Sequence, residues 1–251
     1  MDESKGNSLI DGYLQRLEVD KKIREKGVYY VTELCRKCLL STYYNIKEEV
    51  PPTEKMLRIF QMGHILEDFY IQNVLRNTPG IQVIATQLPA RVKVNDYEIH
   101  GRIDALCIED GKLVVHEIKT AKTASWKNTP NEEYVTQLQF YLNALALDSG
   151  RIDVIDKTIL LLGEDPRNIG LLPDISYPII RDALPYHDIL AAAEILHRAV
   201  TTNTQPEPNP NWQCMGRVSY CDHIEKCRAE HPPIISPIDN IIPKIDTNPN
   251  P

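Results

Sequence analysis

A hairpin that is apolar on both faces limits the folds open to this chain more than any other feature. Residues 81–120 are rich in β-branched residues, and Glu109-Asp110-Gly111-Lys112 has the composition of a tight turn. Strands that are apolar on both faces belong in the middle of a sheet that is covered on both sides. The sequence therefore predicts an α/β fold with this hairpin near its centre.

Two carboxylates interrupt the apolar hairpin. If its turn is a two-residue loop, paired positions sum to 221, so Asp104 lies opposite Glu117 and Lys119 shares their face. Cys107 falls on the other face, where we expect it to be part of the core. Because carboxylates buried in a sheet are unfavourable without a partner, the pattern predicts groups that pair with them.

Two predicted helices supply further polar side chains. The helix over residues 54–77 places His64 and Glu67 one turn apart, and the helix over residues 132–147 places Gln137 and Tyr141 on one face. The apolar residues of the first helix that we expect to face the core are Met56, Ile59, Phe60, Ile65, Leu66, Phe69 and Val74.

The polar residues have the composition of a metal-dependent phosphodiesterase site. Oxygen and nitrogen ligands around a small void suit a partly hydrated Mg²⁺ or Mn²⁺, the usual partner of phosphodiester chemistry. Taken singly, Asp104, His64 and Lys119 each have a structural explanation, such as a charge at a strand end. The predicted register, which brings Asp104 and Glu117 together, favours a functional site.

The six cysteines indicate metal ligation rather than disulfides. Cys35 and Cys38 share one face of a helix predicted over residues 31–46, and three more cysteines, Cys214, Cys221 and Cys227, cluster near the end. Thiols from these two distant groups can bind the same metal centre. A set of four thiolates suits an iron–sulfur cluster or structural zinc equally well on chemistry alone.

Charge and hydropathy restrict the partners. The net charge of −7 is opposite to the broad basic surface of proteins that coat nucleic acid, so any nucleic-acid contact must be local. No apolar run approaches the roughly 20 residues that span a bilayer, and the N-terminus lacks the pattern of a signal peptide. We expect a cytoplasmic protein without a membrane partner.

The motifs, in this order, resemble the RecB-type branch of the PD-(D/E)xK nucleases. They are Gly63-His64-x-x-Glu67, Gly101-x-x-Asp104, Glu117-Ile118-Lys119 and Gln137-x-x-x-Tyr141, within a resemblance that spans about residues 28–230. The cysteines and the aromatic pair Tyr43-Tyr44 narrow it to the iron–sulfur members. The chain looks most similar to the CRISPR-associated RecB-like exonucleases, the fourth Cas family, with AddB-type repair nucleases as more distant relatives.

The resemblance implies a restriction-endonuclease-like mixed sheet flanked by helices, and a role for each motif residue. The groups that would bind the catalytic Mg²⁺ or Mn²⁺ are the side chains of His64, Asp104 and Glu117 and the backbone carbonyl of Ile118. Lys119 would orient the attacking water and offset charge on the phosphoryl oxygens. Gln137 and Tyr141 would hold the DNA strand and Lys119 in register, while Glu67 would hydrogen-bond a water on the metal or one of its ligands.

The resemblance also implies a [4Fe-4S] cluster, rather than [2Fe-2S] or zinc, that joins the N- and C-terminal segments. Its ligands would be Cys38 (or Cys35 in its place), Cys214, Cys221 and Cys227. The six residues between Cys214 and Cys221 depart from the family spacing of two, whereas Cys221-x5-Cys227 fits. Such a cluster would couple folding to cluster loading, and aromatic residues such as Tyr43, Tyr44 or Trp126 could stack bases beside it.

The function expected from the resemblance is a metal-dependent DNA exonuclease that acts on single strands or overhangs. It would process protospacers in CRISPR adaptation, with the adaptation integrase as a partner. The alternatives are an iron–sulfur scaffold that binds DNA ends, a repair nuclease of the AddB type outside CRISPR, and a protein joined by structural zinc that has no DNA function. The predicted organisation is an N-terminal extension (1–27), a nuclease domain with cluster-binding ends (28–230) and a flexible proline-rich tail (231–251).

Overall fold

The computed structural model describes residues 25–35, 38–48, 54–121, 129–156, 175–209, 221 and 223–231. The chain divides into two compact units, with boundaries after residues 35, 50 and 190, the last of them within one long helix. The sheet unit comprises residues 1–35 and 51–190, and the helical unit comprises residues 36–50 and 191–251. Most of the predicted extension and tail lies outside the described residues, so their boundaries stay predictions.

A mixed sheet forms the centre of the sheet unit. Its six strands among the described residues are β1 (Val28–Tyr30), β2 (Ile81–Val94), β3 (Tyr97–Glu109), β4 (Lys112–Ala121), β5 (Ser149–Asp156) and β6 (Ile175–Ile180). The order is β1-β3-β4-β5-β6, with β2 paired to β3. The β1–β3 and β4–β5 pairs are parallel and the others antiparallel, so the predicted mixed sheet is confirmed.

The β3–β4 hairpin has the predicted register. Ala105 pairs with His116 and Cys107 with Val114, so that paired positions sum to 221. Asp110 and Gly111 have φ values of 48° and 75°, the pair of positive values that a type I′ turn requires. The hairpin is central, because β2 lies beside β3 and β5 beside β4.

The described helices are α1 (Val31–Leu34), α2 (Leu39–Glu48), α3 (Glu54–Asn73), α4 (Glu132–Ala144), α5 (Ala183–Thr202) and α6 (Ile224–Glu230). The Asn131 side chain caps α4 by accepting a hydrogen bond from the backbone N–H of Glu133 at 2.8 Å. In the part of the chain that the structure describes, no helix has the length and apolar character that crossing a membrane requires.

The apolar stripe predicted for α3 is wrong from Ile59 to Ile65. Ile59, Phe60 and Ile65 are exposed, each at about half of its surface. The helix packs on the sheet from Leu66 onward, where Leu66 and other buried residues contact the core. Periodicity identifies the helix, but it cannot show how far along its length the sheet extends.

The single helix predicted over residues 31–46 is also wrong. The helix α1 has only four residues, its C-cap is Cys35, and α2 begins at Leu39. The preceding residues Val28–Tyr30 pair with β3 in parallel, an interaction between distant segments that a helical period does not reveal. The break coincides with the boundary between the units, so Cys35 belongs to the sheet unit and Cys38 to the helical unit.

Candidate active site

The hairpin brings Asp104, Glu117 and Lys119 together. The Oδ2 atom of Asp104 accepts a hydrogen bond from the backbone N–H of Ile118, on the neighbouring strand, at 2.7 Å. The Lys119 ammonium donates to Oε1 of Glu117. Glu117 is 0% exposed, and its other oxygen, Oε2, has no hydrogen-bond partner among the described residues. A buried carboxylate oxygen without a donor marks a place where a cation is favourable.

Burial and mutual repulsion set the electrostatics of the cluster. Burial, followed by the nearby Asp104 carboxylate, raises the pKa of Glu117 to about 8. Burial also raises the pKa of Asp104, although Lys119 opposes the shift. Burial alone would lower the pKa of Lys119, but Glu117 and Asp104 raise it above its usual value, so the ammonium stays charged. The two carboxylates, when both are ionised, thus carry more negative charge than the single ammonium of Lys119 neutralises.

The helix α3 contributes His64 and Glu67, as the sequence predicts. Their side chains face each other, with 3.7 Å between Nδ1 of His64 and Oε2 of Glu67, and His64 remains 57% exposed. Burial and the neighbouring Asp104 raise the pKa of Glu67 to about 7. His64 lies within electrostatic reach of Asp104 as well. The helix therefore adds an accessible imidazole and a third carboxylate to the hairpin cluster.

The helix α4 contributes Gln137 and Tyr141, which form a hydrogen bond of 2.8 Å between Nε2 and the hydroxyl oxygen. Burial and the nearby Glu117 raise the pKa of Tyr141 well above its usual value. The Tyr141 ring lies against Gly101, where an added Cβ would stand 2.5 Å from the ring. This contact explains why the Gly101-x-x-Asp104 motif begins with a residue that has no side chain.

The residues present fit a hard divalent cation in chemistry. Asp104, Glu117 and Glu67 supply carboxylate oxygens and His64 supplies a nitrogen, which matches the donor set of Mg²⁺ or Mn²⁺. In the described ranges, no three His, Cys, Asp or Glu side chains already stand in metal-binding geometry. The oxygens of Glu117 and Asp104 instead contact Lys119 and Ile118, so ion binding requires rotation of these side chains.

Three residues near the cluster were not anticipated from the sequence. The Lys119 ammonium lies 5.0 Å from the centroid of the Tyr134 ring, a cation–π distance. The positive charge of Arg102 opposes the rise in the pKa of both Glu67 and Asp104. Gln87 donates a hydrogen bond to Glu67. Tyr134 and Arg102 could have been found from their spacing, three residues before Gln137 and two before Asp104, whereas Gln87 carries no sequence signal.

The cysteines divide between the two units. Cys38 and Cys227 are buried in the helical unit, where the Cys221 thiol lies 3.7 Å from the Ser41 hydroxyl; Cys214 lies outside the described residues. Cys35 is instead a neighbour of Glu117 and Lys119 in the sheet unit. Burial and the Glu117 carboxylate raise the pKa of its thiol, which disfavours the thiolate that a metal needs.

The prediction that Tyr43 and Tyr44 stack on bases is wrong for the described structure. Both rings are buried in the helical unit. The Tyr43 hydroxyl donates to Oδ1 of Asn203 at 3.3 Å, and the Tyr44 hydroxyl donates to Glu230. The two tyrosines therefore hold α2 to the end of α5 and to α6, and their ring faces are not free for nucleic acid.

Comparison with known proteins agrees with the observed fold. The model of the PD-(D/E)XK nuclease superfamily matches residues 25–228. The solved structure of SSO0001 is 22% identical and has a TM-score of 0.58, over 88% of this chain and 97% of that chain. The alkaline exonuclease from Laribacter hongkongensis is 14% identical and has a TM-score of 0.50, over 71% of this chain and 90% of that chain.

At these identities the solved structures show a shared fold. No curated protein is significantly similar to the chain. The family match is the stronger finding, because it covers most of the sequence and includes the β3–β4 hairpin, α3 and α4. The chain belongs to the PD-(D/E)XK nuclease superfamily.

Proposed function

We propose that this nuclease is a metal-dependent DNA exonuclease that acts on single strands or overhangs and trims protospacers during CRISPR adaptation. The observation that carries the metal-dependent chemistry is the buried Glu117, whose Oε2 atom lacks a partner among the described residues and lies in the cluster with Asp104 and Lys119. The alkaline exonuclease with a similar fold supports the exonuclease assignment. The preference for single strands and the CRISPR role rest on the motif and cysteine pattern.

The proposed mechanism assigns one task to each group. His64, Asp104, Glu117 and the carbonyl of Ile118 would hold Mg²⁺ or Mn²⁺, which supplies Lewis acidity and an activated water for attack on phosphorus. Lys119 already carries its proton, so it can orient the water and offset negative charge on the phosphoryl oxygens. Solvent protonates the leaving oxygen.

The helix α4 would keep Lys119 and the DNA strand in position. Gln137 and Tyr141 are joined by a hydrogen bond, and Tyr141 also accepts one from the backbone N–H of Arg102. These contacts link the helix to β3 at a position two residues before Asp104. A nucleotide that contacts α4 is thereby placed relative to the carboxylate cluster.

The test is cleavage of end-labelled DNA in Mn²⁺. Lys119→Ala and Asp104→Ala should fold and lose cleavage by about a hundredfold or more, because the first removes the positive charge aimed at the phosphoryl oxygens and the second removes a proposed ligand of the cation. The matched control is Lys112→Ala, an exposed lysine at the start of the same strand, which should cleave normally. Full cleavage by the first two variants contradicts the assignment, and tight end binding without product supports the scaffold alternative.

Substrate form and gene neighbourhood test the finer parts of the proposal. Single strands and overhangs should be degraded faster than blunt duplex ends, and equal rates contradict the strand preference. Genes for CRISPR adaptation, including the integrase, should lie beside this gene. A neighbourhood of repair genes instead favours the AddB-type alternative.

We also propose that Cys38, Cys214, Cys221 and Cys227 bind a [4Fe-4S] cluster in the helical unit. The support is that Cys38, Cys221 and Cys227 all belong to this unit, whereas Cys35 lies beside Glu117. Anaerobically purified protein should contain iron and sulfide. Cys38→Ser should lose them and Cys35→Ser should retain them; the reverse result makes Cys35 the ligand, and zinc without sulfide contradicts the cluster.

A further inference from the structure

Gln87 has an unusual backbone conformation in the middle of the longest strand. Its φ is 53°, in the left-handed region that residues with side chains rarely adopt. The alternation of exposure along β2 changes phase there: residues 82, 84 and 86 are exposed before it, and residues 89, 91 and 93 after it. Irregular positions of this kind re-aim a side chain, and conformations of this cost cluster at functional sites.

The re-aimed side chain points into the carboxylate cluster. Thr86 pairs with Ala105 and Leu88 with Ile103, so Gln87 stands across from Asp104. Its Nε2 atom donates a hydrogen bond to Oε1 of Glu67 on α3. Gln87 therefore joins a strand to a helix at the point where two of the cluster carboxylates meet.

A neutral amide suits this position better than a charged donor. Glu67 is largely buried and is repelled by Asp104, and the amide of Gln87 favours its ionised form. A lysine or arginine would do the same but would bring a positive charge that competes with a divalent cation. Gln87 fixes one oxygen of Glu67 and leaves the other, Oε2, facing His64 at 3.7 Å.

We infer that Gln87 is a positioning residue that fixes the Glu67 carboxylate beside Asp104 and His64 in the cation site. The inference rests on the proposed function, since it assigns Gln87 to the same site. This role explains why a residue other than glycine has a left-handed backbone conformation within β2. The unfavourable conformation directs the Gln87 amide toward Glu67.

The test uses two variants of Gln87 and one matched control. Gln87→Leu keeps the approximate side-chain volume without the amide, and Gln87→Gly removes the amide while relieving the left-handed backbone. The control is Asn95→Gly, which relieves a φ of 52° in the turn between β2 and β3, about 25 Å along the strand. Calorimetric titration with Mn²⁺, steady-state cleavage and thermal unfolding are measured for each protein.

Both Gln87 variants should lose about 10- to 100-fold in Mn²⁺ affinity or kcat, the usual effect of removing a partner of a metal-site residue, with KM for DNA unchanged. Gln87→Gly should unfold at the wild-type temperature or above, which separates loss of positioning from loss of folding. Asn95→Gly should match the wild type in affinity and kcat. Wild-type affinity and kcat in both Gln87 variants, or an equal loss in Asn95→Gly, overturns the inference.

The calorimetric result also separates this inference from the proposed function. If the wild-type protein binds Mn²⁺ but does not cleave DNA, the proposed function fails and the affinities of the Gln87 variants still decide the role of Gln87. If the wild type cleaves and the Gln87 variants behave like it, only the inference about Gln87 fails.

Discussion

Gly101 shows how one missing side chain shapes the candidate site. A Cβ there would lie 2.5 Å from Cε1 of Tyr141 and 3.0 Å from Cγ1 of Val31. Because both neighbours are buried, neither can move freely. Gly101→Ala should therefore destabilise the protein by about 1–3 kcal/mol through overpacking and displace Tyr141, which also lowers cleavage. Urea unfolding and DNA cleavage measure the two effects.

Gly63 provides the control for this prediction. It lies within α3, and an added Cβ would meet nothing within 4 Å. Gly63→Ala should raise the free energy of unfolding by about 1 kcal/mol, because alanine favours a helix over glycine. A destabilised Gly63→Ala protein, or a Gly101→Ala protein as stable as the wild type, contradicts the steric explanation.

At the scale of residues, the sequence predicts those contacts that join residues of one hairpin or one helix. The register of the β3–β4 hairpin, which brings Asp104 near Glu117, follows from a two-residue turn, and the Gln137–Tyr141 contact follows from helical spacing. The contact between Gln87 and Glu67 joins side chains from two distant elements through a left-handed backbone position. No spacing rule contains that information, so it required the folded structure.

At the scale of elements, a buried ion network joins three strands on the face of the hairpin opposite Asp104. Nδ1 of His116 lies 2.6 Å from Asp153, and Nε2 lies 2.8 Å from Glu109, which also pairs with Arg151. Burial opposes a charge on His116, yet the hydrogen bond with Asp153 raises the pKa of His116 to about 10. The imidazolium therefore holds β3, β4 and β5 together at neutral pH.

Replacing His116 should lower the free energy of unfolding, because it disrupts this network. His116→Ala leaves the buried Asp153 carboxylate without its partner, and the free energy of unfolding should fall by about 3 kcal/mol. The control is His100→Ala, which breaks a pair with the exposed Glu98 and should change stability little. Equal stability losses in urea unfolding would show that burial does not set the value of the His116 pair.

The strands and helices themselves were largely predictable, and the exceptions have a common cause. The hairpin, α3 and α4 all carry strong periodic patterns of their own. The strand β1 has three residues and forms only because β3 is present beside it, and the exposed half of α3 depends on where the sheet ends. Both features are set by distant contacts rather than by local sequence.

At the scale of the whole molecule, the net charge of −7 is compatible with a nuclease because part of it is concentrated in the carboxylate cluster around Asp104. Beyond the effect of burial, the Asp104 carboxylate raises the pKa of both Glu67 and Glu117, so the metal-free protein carries unfavourable repulsion. A cation bound there, as proposed above, would offset this repulsion.

Asp104→Asn should therefore have opposite effects with and without metal. In EDTA the variant should unfold about 2–4 °C above the wild type, which corresponds to about 1 kcal/mol of relieved repulsion in a chain of this size. In Mn²⁺ the order should reverse, because only the wild type gains stability from binding. A variant that is less stable than the wild type in EDTA would contradict the repulsion.

The type I′ turn of the β3–β4 hairpin has a consequence for the order of folding. Asp104 and Glu117 are only thirteen positions apart, so their contact has low contact order and a hairpin of this kind closes within microseconds. The two like charges therefore meet early, before the distant strands β1 and β5 are in place. Mn²⁺ present during refolding should increase the refolding rate as well as the final stability.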